Sequence, residues 1–136
     1  MSERLFVLVV EDDEADALCA VRALRACAQG IEVERAVDCE AALAQLRRSD
    51  GDRHCLVLLD WHLPHMSGQE MLRVMGQEPK LAKIPVVILS GDESEEALND
   101  SYGLGARAFV QKPSDPQGYE DLVREIVRFW HASELN

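Results

Sequence analysis

The sequence predicts a doubly wound α/β domain, a five-stranded parallel sheet of order 2-1-3-4-5 with helices on both faces. Three observations carry that expectation. Short apolar runs alternate with stretches of helical period along the whole chain. The runs are apolar at consecutive positions, as strands covered on both faces are. The residues that break the pattern are charged or hydroxylic, and they stand where the runs end. Right-handed crossovers between parallel strands then make the doubly wound layout the expected one.

The first run, Leu5–Val10, stops at Glu11-Asp12-Asp13. A helix fits Glu14 to Ala28, with Ala17, Leu18, Val21, Leu24 and Ala28 on one face, and Gly30 ends it. Glu32–Ala36 reads as a short second strand, and Asp38 can cap a helix whose inward stripe is Cys39, Ala42, Leu43 and Leu46. After a turn at Ser49–Asp52, the third strand Cys55–Leu59 ends at Asp60. The loop Trp61–Gly68 leads into a helix through Met71, Leu72 and Met75. Pro79 and Pro85 bracket a connection to the fourth strand, Val86–Leu89. A sparsely anchored helix is expected near Ser94–Tyr102, the fifth strand at Ala108–Gln111 and the last helix over Gln117–His131.

At 136 residues the expectation is one domain spanning 1–136 with no output domain. The net charge of −11 argues against direct nucleic-acid binding, which needs clustered Lys and Arg to replace counterions. No apolar run is long enough to span a bilayer and the N-terminal residues do not read as a signal peptide, so a cytoplasmic location is expected. The four cysteines form no CxxC pair and read as small buried thiols, Cys19, Cys39 and Cys55 above all.

The chemistry lies at the strand ends. In this strand order the first and third strands are neighbours at the switch point, where sites of such sheets form. Glu11, Asp12 and Asp60 therefore converge although some fifty residues separate them. Carboxylates brought together repel one another, and a cation relieves the repulsion. Hard oxygen ligands without a cysteine favour Mg²⁺, or Mn²⁺, over zinc. Asp60 can act as a nucleophile towards phosphorus, Lys112 can neutralise phosphoryl charge, and the Ser90 hydroxyl can donate to a phosphoryl oxygen. Asp13 reads either as part of the cluster or as the cap of the first helix. His62 and His65 lack a third ligand of fitting spacing for a transition metal.

Four segments, VLVVEDD (Val7–Asp13), LVLLDWHLPHMSG (Leu56–Gly68), VVILSGD (Val86–Asp92) and AFVQKP (Ala108–Pro113), together make the chain resemble a response-regulator receiver domain of two-component signalling, flavodoxin-like in fold. The resemblance implies that Asp60 is phosphorylated by a sensor histidine kinase and also binds the metal. It implies that Asp12 binds the metal directly, Glu11 through water and His62 through its backbone carbonyl. Ser90 and Phe109 match the switch pair of the family, and Lys112 its phosphate-binding lysine, followed by a Lys112–Pro113 bond that is often cis. It also implies a phosphoacceptor with only self-phosphorylation and slow self-dephosphorylation, rather than an enzyme with other substrates. PKLAKIPVVIL (Pro79–Leu89) and REIVRFW (Arg124–Trp130) further resemble the stand-alone regulators that partner bacterial phytochromes.

Two other readings compete. A magnesium-dependent phosphatase of the haloacid dehalogenase type also uses an aspartate nucleophile, but it needs a second Asp where this chain has His62. A degenerate receiver that works without phosphorylation is disfavoured because no key position is missing. Trp61 reads as a lid or as part of a contact surface. In the last helix the apolar residues from Tyr119 to Trp130 cover an arc of about 160°, wider than one packing face needs. Phe129 and Trp130 are accordingly taken as a homodimer contact, the alternative being that the end of the chain folds back over the domain.

Overall fold

The computed structural model describes residues 5–27, 31–48, 54–91 and 103–135. In chain order these form β1 (Leu5–Val10), α1 (Glu14–Cys27), β2 (Ile31–Ala36), α2 (Cys39–Arg48) and β3 (His54–Asp60). They are followed by α3 (Gly68–Gln77), α4 (Pro79–Ala82), β4 (Val86–Ser90), β5 (Ala108–Gln111) and α5 (Pro116–Leu135). The strands make one parallel sheet in the order β2-β1-β3-β4-β5, as the sequence predicts. The helix expected at Ser94–Tyr102, the turn at Ser49–Asp52 and the ends of the first helix at Ala28 and Gly30 lie outside the described residues, as do the side chains of Phe129 and Trp130.

Strand alternation divides the core into two layers. Phe6, Leu8 and Val10 of β1 face the side of α2 and α3, together with Val57, Leu59, Val86 and Ile88. Leu5, Val7 and Val9 face the opposite side, together with Leu56, Leu58, Val87 and Leu89, and pack on α1 and α5. Leu8 and Leu59 are fully buried, each contributing roughly 2–3 kcal/mol by removal from water. No helix among the described residues is long and apolar enough to cross a membrane.

The helix starts follow from side-chain caps. The Asp16 amide donates to Asp13 Oδ1 at 2.8 Å, so Asp13 caps α1. The Ala41 amide donates to Asp38 Oδ1 at 2.8 Å, the Glu70 amide to Ser67 Oγ at 3.2 Å and the Gly118 amide to Asp115 Oδ1 at 2.7 Å.

Several expectations need correction. The buried face of α1 is Ala17, Ala20, Ala23 and Leu24, whereas Leu18 is 49% exposed and Val21 half-buried. Small residues let α1 lie close against both sheet and α5, so the face of alanines turns inward in preference to the face carrying Leu18. Of the four free cysteines only Cys39 is buried, and the others are half-buried. The Lys112–Pro113 bond is trans. The connection between Pro79 and Pro85 contains the short helix α4, started by Pro79 at its first position. The last helix runs longer than expected, from Pro116 to Leu135.

Candidate phosphoacceptor site

The register of the sheet brings the functional strand ends to one level. Val10 is opposite Leu59, so Glu11 leaves β1 beside Asp60 at the end of β3. Leu89 is opposite Asp60, and Ser90 is opposite Gln111. Backbone bonds carry the pairing one step past the strands. The Glu11 amide donates to Ala36 O at 3.1 Å, the Trp61 amide to Leu89 O at 3.0 Å and the Lys112 amide to Ser90 O at 2.8 Å. These bonds fix the backbone from which Glu11, Trp61 and Lys112 project.

Carboxylate oxygens of Glu11, Asp12 and Asp60 lie within 4.8 Å of one another. Glu11 and Asp60 are buried, and Asp12 is exposed at the mouth. Lys112 Nζ reaches into the cluster, 2.7 Å from Glu11 Oε1, 3.2 Å from Asp60 Oδ2 and 2.9 Å from Asp16 Oδ2. Burial pushes the Glu11 carboxyl up to about 7; the bond from Lys112 pulls it down and Asp60 pushes it higher. Burial disfavours the charge on Lys112, but its bonds to Glu11 and Asp16 and the charge of Asp60 outweigh that and raise its value. One ammonium thus faces an excess of carboxylate charge.

That donor set fits a divalent cation: three hard carboxylate oxygens, two of them buried, with burial and then Asp60 working against the charge on Glu11. Glu11, Asp12 and Asp60 are the residues that could hold the ion. Neither His62 nor His65 belongs to the group. The His62 amide donates to Asp60 Oδ1 at 3.2 Å, so the backbone after β3 folds round the carboxylate. His65 adopts a left-handed conformation at φ 68° in the same exposed loop.

Ser90 is fully buried at the end of β4, and Phe109 is half-buried in β5. The Phe109 ring meets Trp61 edge to face, with centroids 6.1 Å apart and planes at 73°. Trp61 is itself buried in the α2–α3 core layer, which settles it as a core residue rather than a lid or an exposed contact. Cys39 lies in the same layer with its thiol pushed up to about 12, first by burial and then by the charges of Asp38, Glu70 and Asp60, which disfavours the reactive thiolate.

Three contributors escaped the reading of strand ends. Asp16 lies in the first turn of α1, where an acidic residue reads as ordinary helix-start chemistry. Arg35, the penultimate residue of β2, donates from Nε and Nη2 to Glu11 O at 3.0 and 2.9 Å and from Nη2 to Asp12 O at 3.2 Å. It clamps the acidic loop through its backbone, and its Nη1 pairs with Glu14 at 3.0 Å. Tyr119 of α5 is buried beneath the Lys112 network, with a hydroxyl that has no hydrogen-bond partner among the described residues.

Comparison with known proteins agrees with this geometry. A family model described as the response regulator receiver domain matches residues 7–124. The chain is 32% identical over 127 residues to the probable methanogenesis regulatory protein FilR2 of Methanothrix harundinacea, covering 91% of this chain and 82% of that one. It is 31% identical over 128 residues to response regulator Rcp1 of Synechocystis, covering 91% and 87%; the Mn²⁺-bound form of Rcp1 superposes with a TM-score of 0.79 over 92% and 93% of the two chains. The phosphorylated cyanobacterial phytochrome response regulator RcpA superposes with a TM-score of 0.86 at 30% identity, over 97% of this chain and 96% of that one. A match through all five strands, with the acidic cluster and the lysine at their carboxyl ends, establishes that the chain belongs to the response-regulator receiver family.

Proposed function

We propose that this receiver takes a phosphoryl group onto Asp60 from the phosphohistidine of a sensor histidine kinase, with Mg²⁺, or Mn²⁺, held by Asp12, Asp60, the His62 carbonyl and, through water, Glu11. The observation that carries the reading is the Lys112 ammonium bonded to Asp60 beside two further carboxylates. An Asp60 oxygen forms the bond to phosphorus while the bond from phosphorus to the donor imidazole nitrogen breaks, its electron pair staying with the nitrogen. The ion supplies positive charge to the phosphoryl oxygens when it is bound. Lys112 keeps a fixed cation beside the nucleophile, and the Ser90 hydroxyl donates to a phosphoryl oxygen. Movement of Ser90 leaves room for Phe109 to turn inward, which would break its edge contact with Trp61.

The phytochrome-type kinase is the partner this reading favours. The likeness to Rcp1 and RcpA supports it, the latter named a phytochrome response regulator. Phe129 and Trp130 on α5 are the proposed homodimer contact.

Incubation with acetyl phosphate and Mg²⁺ followed by intact mass measurement tests the acceptor. A stoichiometric phosphoryl adduct that disappears in Asp60→Asn is the expected result. No adduct on the wild-type chain, or an adduct that survives in Asp60→Asn, would overturn it. Pull-down against the histidine kinases encoded with this protein tests the partner, and recovery of kinases without a phytochrome module would refute that part.

A further inference from the structure

The carboxylate of Asp16 is not part of the acidic group that could hold an ion, yet it binds Lys112 at 2.9 Å, nearer than Asp60 does at 3.2 Å. Lys112 follows the alternation of Ala108 and Val110 and leaves the sheet on the side of α1 and α5. An ammonium has three protons to donate, and here carboxylates of Glu11, Asp16 and Asp60 surround it. A phosphoryl group on Asp60 brings further anionic oxygens to the same ammonium, so one existing partner must yield. Asp16 is the one returned to water at least cost, because its side chain is 35% exposed against 6% for Glu11 and 8% for Asp60.

A second observation lies on α5. The Tyr119 ring is buried against α1, and its hydroxyl has no hydrogen-bond partner among the described residues although Asp16, Lys112 and Glu11 are all within electrostatic reach. Burial, then the charge of Asp16, holds the phenol pKa above its ordinary value, which keeps the O–H a donor. While Asp16 is engaged by the ammonium, that donor is left without a partner.

We propose that Asp16 is a second seat for Lys112 that competes with the phosphoryl group, so that this carboxylate sets how firmly the phosphorylated state is held. Released from Lys112, Asp16 becomes an acceptor for the Tyr119 hydroxyl, which ties the state of Asp60 to the packing of α1 against α5. The inference rests on Asp60 being the phosphoacceptor. Asp16 acts through Lys112 and is a positioning residue.

The experiment titrates the full chain with beryllofluoride in Mg²⁺, a phosphoryl mimic, and reads intrinsic tryptophan fluorescence, with acetyl phosphate adducts measured alongside. Asp16→Asn should bind beryllofluoride about fivefold more tightly, the size of one partly exposed ion pair. Asp16→Glu should return to the wild-type value, and Asp16→Ser serves as a second neutral variant. Glu120→Gln removes the same charge from an exposed position on α5, and should change affinity by less than about twofold. Tyr119→Phe should leave the melting temperature of the free protein unchanged and weaken beryllofluoride binding only where Asp16 is present. Unchanged or weaker binding by folded Asp16→Asn and Asp16→Ser, or an equal gain from Glu120→Gln, would overturn the proposal. A wild-type chain that takes neither beryllofluoride nor an acetyl phosphate adduct would instead overturn the phosphoacceptor reading beneath it.

Discussion

Replacing Lys112 by methionine keeps most of the side-chain volume and removes the charge, which isolates the electrostatic role of this residue. At an effective dielectric constant of about 20, the attraction to Glu11 at 2.7 Å and to Asp60 at 3.2 Å amounts to about 5–6 kcal/mol each. Desolvation of the three groups offsets much of that in the native protein. Deleting one partner removes the attraction and leaves the other groups buried, so the expected loss at pH 8 without metal is about 3–5 kcal/mol. Glu11 limits the damage by taking up a proton. Its folded value of about 7 already lies above the ordinary 4.5, and without the ammonium that pulls it down it rises further. A carboxyl raised in the folded state contributes its full stability below pH 4.5 and loses it as the pH climbs through the folded value. The deficit of Lys112→Met should therefore narrow by about 1 kcal/mol between pH 8 and pH 6. Saturating Mg²⁺ at pH 8 should narrow it as well, by supplying the missing positive charge. Urea denaturation of both proteins at pH 6 and 8, in EDTA and in Mg²⁺, measures all four conditions. An equal deficit in all four would refute the electrostatic argument and assign the effect of Lys112 to the packing of its stem.

Three further predictions follow from the same geometry. In metal-free protein the contribution of Glu11 should fall by about 3 kcal/mol as the pH rises from 4.5 to above 7, so the stability difference between Glu11→Gln and wild type should drift in favour of the variant over that range, as read by denaturant midpoints. Arg35→Lys should weaken Mg²⁺ binding by about three- to tenfold in a fluorescence titration, because an ammonium cannot hold the Glu11 and Asp12 carbonyls with a fork of donors; unchanged affinity would show that the acidic loop keeps its shape unaided. Gly68→Ala should destabilise by about 1–3 kcal/mol and slow adduct formation with acetyl phosphate. Its Cβ would stand 3.1 Å from Trp61 Cε3 and 3.2 Å from Asp60 O, so the backbone carrying the acceptor must shift; a wild-type melting curve and rate would contradict this.

The strands, and the sheet edge that carries the chemistry, are legible in the residues alone. Leu5–Val10 and Val86–Leu89 read as strands covered on both faces, because four to six apolar residues in a row between breakers are the length of a strand and short for a helix. Once the sheet is parallel and doubly wound, the residues that end its strands share one edge, and there Glu11, Asp12, Asp60 and Lys112 meet. Helix faces were less legible, because periodicity weighs Leu18 above Ala20, while close packing of α1 on α5 favours the smaller side chain. The burial of Trp61 was likewise invisible, since a residue after a strand end faces in or out according to the loop that follows.

Asp16 and Arg35 had to wait for the tertiary structure. Each acts on a partner contributed by another element: Asp16 on Lys112 after β5, and Arg35 on the loop after β1. Which carboxylate an ammonium selects depends on distances of a few tenths of an ångström, and those are set by sheet register and helix placement. A sequence supplies the charges; the fold decides which of them touch.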